Sequence, residues 1–197
     1  MTIFGWNLET AIVIGSILTA VIVSLWIMRT SWRRYGMLFG LASLVAMFLC
    51  GVFVYFGFYL FPNAIRPQFP IFHVLAVIFS FPSLVLLSVR YSPTDWKWKV
   101  PFYWAVVHLG ISFEILLSNK TDILMYSKYW DTWDSYTWWW LYLLFFEWVG
   151  GKIVPIEARK PIAADLFQYG RPVWIAVHFI LISTIFLAGM YVGMKLK

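Results

Sequence analysis

The chain has 197 residues, of which 62% are hydrophobic and 12% are charged, and its formal net charge is +6. Ordinary globular domains carry about a quarter charged residues, so this composition excludes a water-soluble domain and indicates an integral membrane protein. No basic array interleaved with exposed stacking aromatics appears in the sequence. The positive charge therefore indicates membrane topology and contact with anionic lipids, not nucleic-acid binding. We expect residues 1–197 to form a single integral membrane domain.

Six segments are apolar enough to cross a bilayer, which takes roughly 20 residues. They are Thr10–Met28, Gly36–Phe61, Ile71–Val89, Pro101–Ser118, Thr137–Val154 and Pro172–Met194. The fifth is the weakest, because Glu147 and Lys152 interrupt it. Since every backbone polar group must be satisfied inside lipid, the sequence predicts an all-α fold, a membrane bundle of about six transmembrane helices.

Basic residues divide unequally between the loops. Three follow the first span, three follow the third and four follow the fifth, against five on the opposite side. The positive-inside rule places the richer side in the cytoplasm. We therefore predict a multi-pass protein of the bacterial cytoplasmic membrane with both termini outside.

The loop between the fourth and fifth spans is rich in aromatic residues. Ile123, Tyr126, Trp130 and Trp133 recur there at three- and four-residue steps, with polar residues between them. That pattern is typical of a helix lying flat on a membrane surface. It predicts a short interfacial helix within Thr121–Tyr136, over the outer mouth of the bundle.

Small residues at helix-packing spacing are another structural signal. Gly36 and Gly40 lie four residues apart, as do Gly189 and Gly193. In lipid this spacing lets helix backbones approach closely, within one chain or between chains. A homo-oligomer or a larger membrane complex is therefore an open alternative for the state of the protein.

One carboxylate, Glu114, lies inside the fourth span, where an ionisable residue is costly unless it has a task or a partner. It shares a helix face with Gly110 and Ser118, which indicates that it points into the bundle. His73 lies at a similar expected depth in the third span, and Asp122 lies in the loop above. These three residues predict an acid–base site, with a structural hydrogen bond between helices as the alternative.

Aromatic residues are unusually frequent, with 13 Trp, 11 Tyr and 18 Phe. Most of them fit aromatic belts at the two membrane interfaces. A sharper interpretation is a ligand-binding aromatic pocket, because ring faces hold cations through their quadrupole. The residues that we assign to such a pocket are Trp104, Phe113, Trp130, Trp133 and Trp140.

A second group of ionisable side chains, His108, Glu147 and His178, lies nearer the other ends of its spans. Two histidines and a carboxylate can ligate a non-haem metal, and two histidines can ligate haem. No local ligand spacing such as HxxxH accompanies them, so they are weak candidates and the sequence names no cofactor. Glu147 has the alternatives of pairing with Lys152 or reaching a solvated interface.

Several motifs fall between Leu60 and Trp140. They are Phe61-Pro62 before a span, Phe81-Pro82 within it, Glu114 in the next span, and Asn119 to Tyr126 with tryptophans behind it. In these motifs the chain resembles a functionally uncharacterised family of small bacterial multi-pass membrane proteins, known by a locus-tag name. The resemblance implies a compact helical membrane fold and no particular activity. The Phe113-Glu114 pair is similar to the aromatic-Glu pair of integral membrane terpene cyclases.

Three classes of function remain open. The first is an intramembrane acid–base enzyme acting on a lipid-like or isoprenoid substrate, with Glu114 as its acid, and the acids and aromatic residues favour it. The second is a transporter or ligand-binding membrane component that uses the same pocket. The third is a structural or accessory subunit of a larger membrane complex. Hydrolase and nucleotide-driven functions lack their motifs, and the expected partners are membrane lipids and a hydrophobic small molecule.

Overall fold

The structure is a computed structural model that describes residues 2–3, 6–62, 71–163 and 171–195. Its α-helices are α1 Leu8–Met28, α2 Trp32–Tyr55, α3 Ile71–Tyr91, α4 Trp96–Lys120, α5 Thr132–Ile153 and α6 Arg171–Lys195. A short 3-10 helix, Ile156–Ala158, follows α5. Each α-helix overlaps one predicted span, so the predicted all-α bundle of six helices is confirmed.

Within the described residues, five stretches of helix are long and apolar enough to cross a membrane. They are Leu8–Met28, Trp32–Tyr55, Val74–Tyr91, Trp96–Lys120 and Val177–Met194. α5 is more polar because Asp134, Glu147 and Lys152 lie within it. It is nevertheless central, since it contacts α2, α3 and α4 and buries Leu143 and Phe146 among them. The weakest predicted span therefore packs against three other helices of the bundle.

The core lies where α2, α3, α4 and α5 meet. Leu38, Leu86 and Val107 contribute fully buried side chains to it from three of these helices. Tyr142 reaches across from α5 to α2, where its hydroxyl donates to the Ala42 carbonyl oxygen at 2.9 Å. α3 also packs along α1, so α1 covers one side of this core.

α6 lies at the edge of the bundle. The Tyr191 hydroxyl donates to the Asp131 carboxylate, and the Tyr191 ring lies 5.7 Å from that of Trp133. Apolar side chains along α6, such as Phe179 and Phe186, are largely exposed. An apolar helix with an exposed surface suits contact with lipid.

Two short antiparallel ribbons close the loops. β1 Thr2–Ile3 pairs with β2 Trp6–Asn7, and β3 Tyr59–Leu60 pairs with β4 Met125–Tyr126. Gly57 precedes β3 with φ of 69°, a conformation that glycine adopts without steric cost and that turns the chain out of α2. The predicted span Gly36–Phe61 therefore ends early, and residue 59 belongs to a strand.

The predicted interfacial helix within Thr121–Tyr136 is wrong. Bends, turns and the strand β4 occupy the chain between α4 and Asp131. α5 begins after Asp131, whose carboxylate accepts from the backbone N–H groups of Trp133 and Asp134. The Asp134 carboxylate in turn accepts from the Asp131 N–H at 2.9 Å, which completes a capping box. The aromatic spacing of this stretch therefore reflects contacts with other elements and the first turn of α5.

Candidate functional site

Glu114 lies in the last third of α4, with 8% of its surface exposed. Its Oε1 accepts hydrogen bonds from the hydroxyls of Tyr126 at 2.8 Å and Tyr59 at 3.2 Å. Its Oε2 accepts from the indole Nε1–H of Trp139 at 2.6 Å. An indole N–H can only donate, so Oε2 of Glu114 is an acceptor in this arrangement.

The β3–β4 ribbon positions two of these donors. Tyr59 lies directly opposite Tyr126, and residues opposite each other in an antiparallel pair project from the same face. Their ring centroids are 5.8 Å apart. The backbone N–H of Ser127 donates to the Phe58 carbonyl oxygen at 3.1 Å and extends the pairing by one residue. The ribbon thus brings a residue from the loop after α2 to a carboxylate on α4.

A chain of hydrogen bonds continues from Tyr59 into α5. The Tyr59 Oη lies 2.7 Å from Oγ of the buried Ser135, which accepts from the Trp130 Nε1–H at 2.8 Å. Because the Tyr59 hydroxyl donates to Glu114, the Ser135 hydroxyl donates to Tyr59, and the donors run one way toward the carboxylate. Burial, and after it the charge of Glu114, raises the pKa of the Tyr59 and Tyr126 phenols above the ordinary value. Both tyrosines therefore act as neutral donors.

Trp139 approaches α4 closely at Gly110. A β-carbon at Gly110 would lie 2.7 Å from two ring atoms of Trp139, closer than any side chain tolerates. The indole also stacks on Phe81 of α3, with ring centroids 4.6 Å apart. The glycine one helical turn before Glu114 therefore makes room for the indole that donates to it.

A cavity of about 680 Å³ adjoins Glu114, within the usual range for small-molecule pockets. Its lining on α3 runs from Ala76 to Tyr91, roughly 22 Å of helix at 1.5 Å per residue. Its lining on α4 runs from Phe102 to Leu117, so Glu114 lies near one end. Most lining side chains are apolar or aromatic. The site is thus an elongated apolar cavity with a carboxylate close to one end.

The three predicted acid–base residues have different positions. Glu114 lines the cavity. Asp122 is exposed, and its backbone N–H donates to the Glu9 carboxylate at 2.8 Å. His73 lies in the first turn of α3, and its side chain is outside the part of the chain that the structure describes. The joint site of Glu114, His73 and Asp122 stays a prediction.

The predicted aromatic pocket residues are spread over several places. Phe113 is half-exposed and lines the cavity. Trp130 is buried under the β3–β4 ribbon as part of the hydrogen-bond chain. Trp104 packs on a histidine of its own helix, with ring centroids 4.3 Å apart. Trp133 and Trp140 both pack against one tyrosine of α5. Of these five residues, Phe113 is the one that lines the cavity.

The sequence prediction missed the residues that hold Glu114. Trp139 carries a local signal, because it lies between Trp138 and Trp140 on the span that follows the acid. Tyr126 was assigned to a surface helix, and nothing near Tyr59 in the sequence indicates a role. Their pairing is a contact between residues far apart in the chain, which local patterns do not report.

A second buried glutamate, Glu147, lies near the opposite end of the bundle, with its side chain 2% exposed. Lys99 donates to its Oε1, and Arg159 Nη1 lies 3.4 Å from the same oxygen. The Tyr103 hydroxyl donates to Oε2 at 2.6 Å. Glu147 therefore neither reaches a solvated interface nor pairs with Lys152, which lies over a neighbouring tryptophan ring.

The structure gives no support for the weak metal candidates. Among the described residues, no three His, Cys, Asp or Glu side chains group as metal ligands. The Nδ1–H of His108 donates a hydrogen bond to the Trp104 carbonyl oxygen at 2.8 Å, and His178 lies half-buried in α6. The two cations on Glu147 would repel a metal ion.

Comparison of the chain with protein-family models, with curated proteins and with solved structures found no match. The resemblance to a family of small bacterial membrane proteins therefore stays a prediction. The function must be inferred from the geometry around Glu114.

Proposed function

We propose that this chain is a membrane protein that binds a lipid-like molecule in the elongated cavity, with Glu114 as the polar anchor. The observation that carries the proposal is a carboxylate, held by three donors, in the wall of an apolar cavity. Ionisable residues inside membrane spans are costly and usually serve a function. The shape of the cavity suits a chain-like molecule rather than a compact one.

The size of the cavity favours a ligand site over a purely structural hydrogen bond. Ligand pockets are clefts or cavities of about 300–1,000 Å³ in which a few polar groups stand among apolar and aromatic side chains. A carboxylate that served helix packing alone would not require an open volume of about 680 Å³ beside it.

Ligand binding is better supported than acid catalysis. An acid that protonates an isoprenoid must hold a proton of its own. Glu114 instead accepts hydrogen bonds from three donors, and a carboxylate used as an acceptor suits the binding of a positive group. We therefore favour the ligand-binding or transport class over the cyclase-like class.

The distribution of basic residues supports an orientation in the bacterial cytoplasmic membrane. Most of the basic residues lie at or near the connections from α1 to α2, from α3 to α4 and from α5 to α6, and Arg33 and Arg159 are among them. The positive-inside rule then places Glu147 toward the cytoplasm and Glu114 with the β3–β4 ribbon toward the outside. On this orientation a ligand meets Glu114 from the outer half of the membrane.

The proposal is tested by identifying what copurifies with the protein. We expect native mass spectrometry of the full chain to show a bound non-protein molecule that survives detergent exchange. The Ala76→Trp variant, which places an indole in the cavity, should no longer hold the bound molecule. Ser80→Phe repeats the block at a second lining position, in case the first variant misfolds. Glu157→Gln, at an exposed acid, is the matched control and should retain the molecule.

Equal retention by the wild type and by both folded block variants would show that the molecule is surface lipid. That result would leave an accessory-subunit function as the better explanation.

A further inference from the structure

The partners of the two buried glutamates differ in charge. Glu147 has two cations, Lys99 and Arg159, on one carboxylate oxygen. Glu114 has three neutral donors, and no cation of the described residues pairs with it. Buried charges in proteins are normally paired, because neutral donors satisfy hydrogen bonds without cancelling the charge. Glu114 thus lacks the cationic partners that Glu147 has among the described residues.

Glu114 lies in the wall of the cavity. Within the described part of the chain, Glu114 is the only charged residue of the lining. Its Oε1 accepts two hydrogen bonds and its Oε2 accepts one, while a carboxylate has about four acceptor positions. One acceptor position on Oε2 therefore has no donor among the described residues.

Aromatic side chains share this end of the cavity with Glu114. Tyr59, Phe113, Trp138 and Trp139 all belong to the lining. Aromatic faces attract cations, most strongly where water is excluded. A carboxylate among aromatic rings, in an otherwise apolar wall, is chemistry that recognises a positive group on an apolar body.

We infer that the ligand is an elongated apolar molecule carrying one cationic nitrogen, a long-chain amine or quaternary ammonium, with that nitrogen on Glu114. The inference rests on the proposed function and adds the charge of the ligand. Fatty acids, anionic phospholipids and isoprenyl diphosphates are disfavoured, because each would bring negative charge to Glu114, and the described lining residues include no cation to offset it.

The test uses three labelled probes with the same ten-carbon chain and different heads: decyltrimethylammonium, decanol and decanoate. The full chain is placed in nanodiscs of zwitterionic lipid, and binding is measured by equilibrium dialysis. Nanodiscs that contain the Ala76→Trp variant measure how much probe dissolves in the lipid, and this amount is subtracted. We expect the ammonium probe to bind the wild type at least about tenfold more tightly than the alcohol, and decanoate to bind most weakly.

Glu114→Gln separates charge from shape. It should reduce ammonium affinity to about that of the alcohol and leave alcohol affinity unchanged, because glutamine keeps the size of the side chain and removes its charge. Glu157→Gln should change none of the three affinities.

The outcomes distinguish the two claims. The wild type could bind the ammonium and alcohol probes equally tightly while the Ala76→Trp variant binds neither. That result would overturn the inferred charge of the ligand and leave the proposed function standing. Preferential binding of decanoate, or unchanged ammonium binding by Glu114→Gln, would also overturn the inference. If no probe binds the wild type above the Ala76→Trp background, the proposed function itself fails.

Discussion

Replacing Glu147 by glutamine should destabilise the fold strongly. The carboxylate is 2% exposed, and its partners Lys99 and Arg159 have side chains 12% and 6% exposed. Glutamine preserves the size of the side chain and an acceptor for Tyr103, but it leaves two buried cations without a counter-ion. The sequence alone leaves Glu147 at a solvated interface or paired with Lys152, and neither alternative predicts this loss of stability. The buried cluster with Lys99 and Arg159 does.

The expected loss follows from the burial of the partners. Removing one member of a buried ion pair costs about 3–5 kcal/mol, chiefly because the remaining charge stays buried and unpaired. Lys99 and Arg159 share one carboxylate oxygen, so their losses do not add and the same range covers both. The control is Asp95→Asn. Asp95 pairs with Lys97 at 3.9 Å, with side chains 58% and 72% exposed, and such surface pairs contribute about 0–1 kcal/mol.

The free energy of unfolding is measured by titrating dodecyl sulfate into mixed micelles and following tryptophan fluorescence. Adding Lys99→Met to Glu147→Gln should recover part of the loss, because one stranded charge disappears. If Glu147→Gln lowers the stability by no more than Asp95→Asn does, the ion cluster is not a stabilising contact and the reasoning is refuted.

Three further predictions concern the site and its orientation. Gly110→Ala should destabilise the fold by about 1–3 kcal/mol, because the added methyl group clashes with the indole of Trp139. The control Gly189→Ala should not destabilise it, since no described atom lies within 4 Å of the added β-carbon. The unfolding midpoints of the two variants are compared. The pKa of the Tyr126 phenol should stay above the ordinary value of about 10 when followed by NMR of ring-labelled tyrosine. The neutral Tyr126 phenol then contributes fully to the stability of the fold below about pH 10, and this contribution falls as the pH rises through the raised pKa. In intact cells, a membrane-impermeant maleimide should label the Lys128→Cys variant, and it should label the Arg33→Cys variant only after the membrane is permeabilised. The opposite labelling pattern would show that the topology is inverted.

The helices were predictable because lipid leaves a chain few alternatives. A run of apolar residues long enough to cross the bilayer must satisfy its backbone internally, and each predicted span contains a helix. Local spacing of glycines was less informative. Gly36, Gly40, Gly189 and Gly193 have no described atom within 4 Å of an added β-carbon. The close approach occurs at Gly110, where a bulky indole packs on the helix.

The candidate site was predictable only in its acid. Glu114 is recognisable because a charge in an apolar span requires a reason. Its donors come from a ribbon and from α5, and the Tyr59–Tyr126 register that aligns two of them joins segments far apart in the chain. The aromatic spacing around Trp130 is helical in period, but it arises from residues that pack on the ribbon and then enter α5 through the Asp131 capping box.

The donors of Glu114 also bear on how the chain enters the membrane during synthesis. Residues emerge from the ribosome in the order Tyr59, Glu114, Tyr126 and Trp139, so α4 is complete before two of the three donors to its carboxylate exist. A carboxylate without donors is costly in hydrocarbon. α4 should therefore remain at the translocon until α5 follows, and the two helices should pass into lipid as a pair. A nascent chain arrested when α4 has left the ribosome and α5 has not should still crosslink to the translocon through α4, and one from which α5 has also emerged should not.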